Sequence, residues 1–213
     1  MKKISTNGIY FLEKFIGTEK WYFGTEYTDG DLYEAEELYN DKHKIDKNRL
    51  ILVSYPDGKV YEPIIPDKWQ YFGRPFFYDG KIIILLIDFS LHEIYIKEFD
   101  DKTETVKTIV ILPLSITKDC YNLMLKGSPL MLTRQGSDDT FQIFWPDKAD
   151  FEITGRESFS HRDGNKLYFE TWHEEDVEYY EEIIVRDIKT GEILGKIPGS
   201  IMDLPNGEKW ILN

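Results

Sequence analysis

Short runs of β-branched and aromatic residues, closed off by turn residues, recur along almost the whole chain. The clearest pair spans 182–199, where Ile183, Ile184, Val185 and Ile188 suit a pleated, half-buried surface. Asp187 can fold its carboxylate onto the turn backbone, and Gly191 supplies a positive φ at little steric cost. The second strand stops at Pro198-Gly199. Similar hairpins are expected over 49–66, turning at Asp57-Gly58, over 92–113, turning at 100–103, and over 140–155, turning at 146–150. They recur roughly every 40–50 residues, the period of a four-stranded repeat.

A second series lies between them. Asp79-Gly80, Asp163-Gly164 and Asn206-Gly207 each separate two apolar runs, and such dipeptides are the strongest short-range hairpin signals. The stretch 121–133 adds a fourth member, turning at Gly127-Ser128-Pro129. Near the N-terminus, 9–16 and 19–27 read as inner strands that take 49–66 as their outer hairpin. Alternating inner and outer hairpins make a four-stranded antiparallel meander. One segment departs from this pattern. In 31–40, Asp31 and Glu34 have capping-box spacing, and Leu32, Ala35, Leu38 and Tyr39 can share a helical face. A solvated loop is expected over 41–48.

The Asp-x-x-Thr-Gly-Glu hairpin at 187–192 resembles the outer two strands of a β-propeller blade of the quinoprotein-like, repeat-built kind. The resemblance extends over about 49–213. It implies an all-β fold of four-stranded antiparallel blades in a single domain, 1–213. The repeat units are 73–114, 120–155 and 156–199, followed by an inner hairpin at 200–213. Five blades are the expected count, with four as the alternative. Strands from both termini would close the ring, because an open circle of sheets leaves exposed edges.

Composition narrows the class. In 213 residues, hydrophobic positions make up 41% and aromatics 15%, so a sizeable core is available. Net charge is −13, from 39 acidic and 26 basic residues. That field repels phosphate backbones and disfavours nucleic acid, while it suits a cationic partner. A single cysteine, Cys120, fits a reducing compartment. Neither a secretory leader nor a membrane span is expected, since the apolar run at 9–12 is short and closed by Glu13 and Lys14. The expectation is a cytoplasmic monomer.

No nucleotide loop, nucleophile elbow or zinc spacing occurs. Metal binding is not expected. The acidic run Glu174-Glu175-Asp176 with Glu178, Glu181 and Glu182 lacks calcium-loop periodicity, and 28–31 reads as a turn before a helix cap. Cys120 follows Asp119, which raises a thiol's pKa, so an inert thiol is expected. No catalytic residue and no cofactor is assigned. Gly73-Arg74-Pro75 and Gly155-Arg156-Glu157 occupy matching places where innermost strands begin. In a propeller such places ring the mouth of the channel, where Arg74 and Arg156 could grip a carboxylate or phosphate. Alternatively each arginine pairs with an acidic neighbour and pins successive blades, and that reading is preferred. Trp69, Tyr71, Trp145 and Trp172, expected to be exposed, could stack on sugars or anchor a partner; as blade-packing residues they need no ligand, and that reading is preferred.

Three functions follow. The first is a non-enzymatic module that binds another protein, a basic one. The second is a carbohydrate-binding propeller that uses the tryptophans. The third is a glycosidase-like hydrolase that uses the carboxylates of Asp119, Glu157 or Asp203, which must face each other at a set separation.

Overall fold

The computed structural model describes residues 1–45, 48–175 and 178–213. Asp46 and Lys47 of the expected loop at 41–48, and Asp176 of the acidic run, lie outside the described residues. The chain forms two compact units, Met1–Cys120 and Tyr121–Asn213.

The first unit holds two sheets and a helix. Sheet 1 runs β1 (Glu13–Lys14), β2 (Trp21–Thr25), β3 (Leu50–Ser54) and β4 (Val60–Tyr61), antiparallel and in chain order. Helix α1 (Leu32–Asn40) interrupts it where the sequence places a helix. The Asp31 carboxylate accepts from the backbone N–H groups of Tyr33 and Glu34 at 2.8 and 3.2 Å, satisfying two of the orphan donors of the first turn. Leu32 and Ala35 are buried.

Sheet 2 contains β5 (Gln70–Phe72), β6 (Phe76–Tyr78), β7 (Lys81–Asp88), β8 (Glu93–Asp100) and β9 (Thr105–Pro113). Both β5 and β6 pair with β7, so they are two halves of one innermost strand. Phe72 faces Leu86 and Phe76 faces Ile83, which leaves three residues, 73–75, opposite two. Gly73-Arg74-Pro75 is therefore a bulge inside the strand and not its beginning, which corrects the sequence expectation. Pro75 has no N–H for the ladder. Gly73 donates to the Leu85 carbonyl at 3.0 Å, and a Cβ there would stand 2.8 Å from Leu85 and 2.9 Å from Leu32 of α1.

The two sheets share an aromatic core that includes Phe15, Trp21, Phe23, Leu50, Leu52, Phe72, Ile84 and Phe99. Every residue of β3 is buried, as are seven of the eight in β7, which is why those runs are continuously apolar.

The second unit holds two further four-stranded meanders and a hairpin. Sheet 3 comprises β10 (Met124–Lys126), β11 (Met131–Gln135), β12 (Thr140–Trp145) and β13 (Ala149–Glu152). Sheet 4 comprises β14 (Glu157–Asp163), β15 (Lys166–Glu175), β16 (Glu178–Asp187) and β17 (Ile193–Pro198). The core joining them includes Met131, Phe141, Ile143, Phe159, Leu167, Phe169 and Ile184.

The turn between β16 and β17 has the expected build. Asp187 Oδ1 accepts from the amides of Lys189 and Thr190 at 2.8 and 3.0 Å, and Gly191 has φ +72°. Those amides hold the Asp187 carboxyl below the usual range.

All four complete sheets have the inner-hairpin-then-outer-hairpin course of a β-propeller blade, so the chain is all-β with four blade-type sheets. The last two strands, β18 (Ser200–Asp203) and β19 (Lys209–Leu212), form a two-stranded sheet. Sheet 1 is complete from residues 13–61 alone, so among the described residues no sheet draws strands from both termini. The expected shared closure is thus replaced by four full sheets and a separate hairpin.

Candidate ligand cleft

The second unit encloses a cleft of about 660 Å³. The connections β11–β12, β13–β14 and β17–β18 line it together with parts of β15 and β16. Arg156, Glu157 and Trp172, three of the residues singled out in the sequence, meet there. Trp172 is 46% exposed, and the Arg156 guanidinium stands 5.5 Å from its ring centroid, a cation–π arrangement. No carboxylate pairs with Arg156 among the described residues.

Glu157 has a structural task. It is 2% exposed; Arg186 grips both of its oxygens at 2.7 Å, and the Thr154 amide donates to it at 3.0 Å. Arg186 also donates to the Gly191 carbonyl at 2.7 Å, tying β14 to the β16–β17 turn. A buried carboxylate needs such a partner. The pair neutralises itself, so Glu157 is not a free ligand group.

Three other acids line the cleft. Asp139 is exposed at the β11–β12 connection. Glu170 accepts from the Ile201 amide at 2.7 Å. Glu181 accepts from the Tyr179 hydroxyl at 2.9 Å, and that bond pushes the phenol's pKa up. The cleft therefore sets three carboxylates against one guanidinium, beside two exposed aromatic rings.

The remaining predicted residues lie elsewhere. Arg74 pairs with Glu13 of β1 and covers the Phe23 ring at 5.3 Å, so it pins sheet 2 to sheet 1 as the preferred reading held. Trp69 is half-buried, edge-on to Tyr39 at 5.3 Å, with Lys68 over its face. Tyr71 was expected to be exposed; it is 2% exposed and packs on Phe89, because the strand continues back through 70–72 and turns the ring inward. Trp69 and Tyr71 border a separate hollow of about 370 Å³ in the first unit. Trp145 is half-buried opposite Leu132. Asp203 pairs with Lys209 across the last hairpin. Asp119 is partly buried, and its carbonyl accepts from the Thr117 hydroxyl at 2.6 Å.

Sequence reasoning overlooked Arg186 and Gln135. An arginine directly after the apolar run Ile183–Val185 was a visible sign of a buried ion pair. Gln135 gave no sign. Its side-chain amide donates to the Glu157 carbonyl at 2.5 Å and accepts from the Phe159 amide at 3.0 Å, joining sheet 3 to sheet 4.

Among the described residues, no group of three or more His, Cys, Asp or Glu side chains is placed to hold a metal ion, and no helix is long and apolar enough to cross a membrane.

No protein family and no curated protein matches the chain. Among solved structures, it is similar to dipeptidyl peptidase 4 of Porphyromonas gingivalis, with a TM-score of 0.45 and 13% identity over 89% of this chain and 31% of that one. It is also similar to a chain of the mitotic checkpoint complex, with a TM-score of 0.36 and 7% identity over 72% of this chain and 59% of that one. The chain thus spans less than two thirds of the length of either.

Proposed function

We propose that the protein is a non-enzymatic interaction module: a single acidic β-propeller-like domain over 1–213, monomeric and cytoplasmic, that binds a basic protein. The observation that carries this reading is the composition of the cleft. Asp139, Glu170 and Glu181 outnumber the cation Arg156, and Trp172 and Tyr179 offer ring faces beside them. Carboxylates and aromatic faces together suit an inserted lysine or arginine side chain. The net charge of −13 would speed the encounter. Neither nucleic acid nor a membrane surface is the expected partner.

Capture from the native cell at low and high salt tests it. A basic protein recovered at low salt should be lost as ionic strength rises, since screening shortens to about 3 Å at 1 M. Asp139→Asn with Glu181→Gln should weaken that capture. An interaction indifferent to salt and to both substitutions would sink the proposal.

A second reading, carbohydrate binding, is favoured by the 46% exposure of Trp172 within a polar cleft. It predicts glycan-array binding that ignores salt and vanishes in Trp172→Ala. The hydrolase reading loses support because Glu157, one of its three carboxylates, is held by Arg186.

A further inference from the structure

A smaller cavity of about 150 Å³ lies in the second unit, and its chemistry differs from that of the cleft. Met124, Phe141 and Phe159 supply apolar wall, Asn122, Thr133, Gln135 and Ser158 supply polar groups, and Lys126 of β10 joins them. The Lys126 Nζ stands 6.0 Å from the Phe159 ring centroid, and the side chain is partly buried. Among the described residues no carboxylate lies within ion-pair distance of it. An ammonium in such surroundings loses hydration without gaining a counter-ion.

Burial is the main force that lowers the basicity of Lys126, and the positive charge of Lys209 adds to it; Asp203 and Glu170 act in the opposite sense. His161 nearby is also driven towards its neutral form, chiefly by burial and then by Lys209. A free amine facing an apolar hollow can act as a nucleophile.

We propose that Lys126 is a covalent capture site for short aliphatic aldehydes. The alkyl chain would lie against Met124, Phe141 and Phe159, and the carbonyl carbon would meet Nζ. The hollow corresponds to roughly five water volumes of about 30 Å³ each, room for a two- to four-carbon chain. The nitrogen lone pair forms the C–N bond while the carbonyl π electrons move to oxygen, which takes up a proton. Nitrogen then loses a proton to give a carbinolamine; a second proton reaches its hydroxyl, the C–O bond breaks as the nitrogen lone pair expels water, and the iminium gives up its remaining N–H proton to leave an imine. Amine plus aldehyde gives imine plus water, so no oxidant or reductant is needed, and hydrolysis releases the aldehyde again.

The experiment incubates the folded chain at pH 7 with propanal and cyanoborohydride, which reduces the imine to a stable secondary amine, and maps the adducts by peptide mass. Lys126 should be labelled faster than exposed lysines such as Lys3 or Lys189, since its lowered basicity leaves more free amine at pH 7 and the hollow holds propanal beside it. Its rate should saturate with propanal concentration, and the preference should vanish in urea. Ser158→Leu, which crowds the hollow but keeps Lys126, should slow the label. Labelling of Lys126 no faster than that of Lys3, or a rate strictly linear in propanal, overturns the proposal. Wild-type protein alone decides these two outcomes, whether or not a variant folds.

Discussion

The two glycine-arginine junctions, Gly73-Arg74 and Gly155-Arg156, read alike in the sequence and end differently. In the first unit the junction is swallowed by a strand. Arg74 bulges out of the innermost strand of sheet 2, meets Glu13 and roofs Phe23. In the second unit the junction stays a connection between β13 and β14, and Arg156 rests on Trp172 at a cleft while the neighbouring Glu157 takes Arg186. The difference teaches that the fate of a surface arginine is set by which acid its backbone can reach. Arg74 finds one on the adjacent sheet. Beside Arg156, the nearest acid in sequence is already engaged by a buried arginine.

The largest expected effect attacks the buried pair that leaves Arg156 without Glu157. Glu157→Ala strands the Arg186 charge and should destabilise the fold by about 3–5 kcal/mol in a urea melt. Glu157→Leu combined with Arg186→Met should recover most of that loss. A double variant as weak as the single one would show that the pair does more than cancel charge.

Next in size is a comparison of two hairpin glycines, one per unit. Gly191 has φ +72°, and a Cβ there would fall 2.5 Å from Phe151; Gly80 has φ +75° with nothing within 4 Å. Alanine at Gly80 should cost about 1–2 kcal/mol from backbone strain alone. At Gly191 the collision with the ring should raise this to about 2–4 kcal/mol. Equal losses would mean that Phe151 can swing aside.

The buried acid of the first unit, unlike Glu157, has no charged partner among the described residues, and pH probes it. Asp88 of sheet 2 is 3% exposed and has neutral partners: Ser90, Gln70 and the backbone amides of Ser90 and Leu91. Burial alone would raise its pKa, but those hydrogen bonds outweigh it and leave the pKa lowered. A carboxylate depressed in the folded state stabilises fully above its unfolded pKa of about 3.9, and that contribution drains away as pH falls through the folded value. Melts from pH 6 downwards should therefore show wild type converging on Asp88→Asn in acid. A constant gap between the two would refute this assignment.

The smallest effects concern the arginines themselves. Arg74→Ala removes an exposed ion pair and should cost up to about 1 kcal/mol. Arg156→Ala should leave stability within about 0.5 kcal/mol while altering whatever the cleft binds. If Arg156→Ala proves the more destabilising, the contrast between the junctions is drawn the wrong way round.

Local chemistry made much of this legible. The Asp79-Gly80, Asp163-Gly164 and Asn206-Gly207 turns, the Asp187 turn and the Asp31 cap each depend on a few adjacent residues, and each was readable. What remained hidden depends on contacts distant in sequence. Pro75 looked like the start of a strand because nothing nearby revealed that 70–72 pairs with 86–88. Tyr71 looked exposed for the same reason. The Glu157–Arg186 pair links residues 29 apart through two strands of one sheet, and its buried arginine sat among isoleucines without an obvious partner. At the cleft, Arg156 and Trp172 were nameable as candidates, whereas Tyr179, Glu170 and Glu181 gather only after β15 and β16 have paired.

Gln135 leaves a consequence for isotope exchange. Its amide caps the free edge of β14 at the Glu157 carbonyl and the Phe159 N–H, groups that β15 does not use. Deuterium can enter at Phe159 only when a side chain rooted in sheet 3 lets go. The exchange rate of that single proton is thus a clock for how often two neighbouring sheets part, which fraying of β14 on its own would not set.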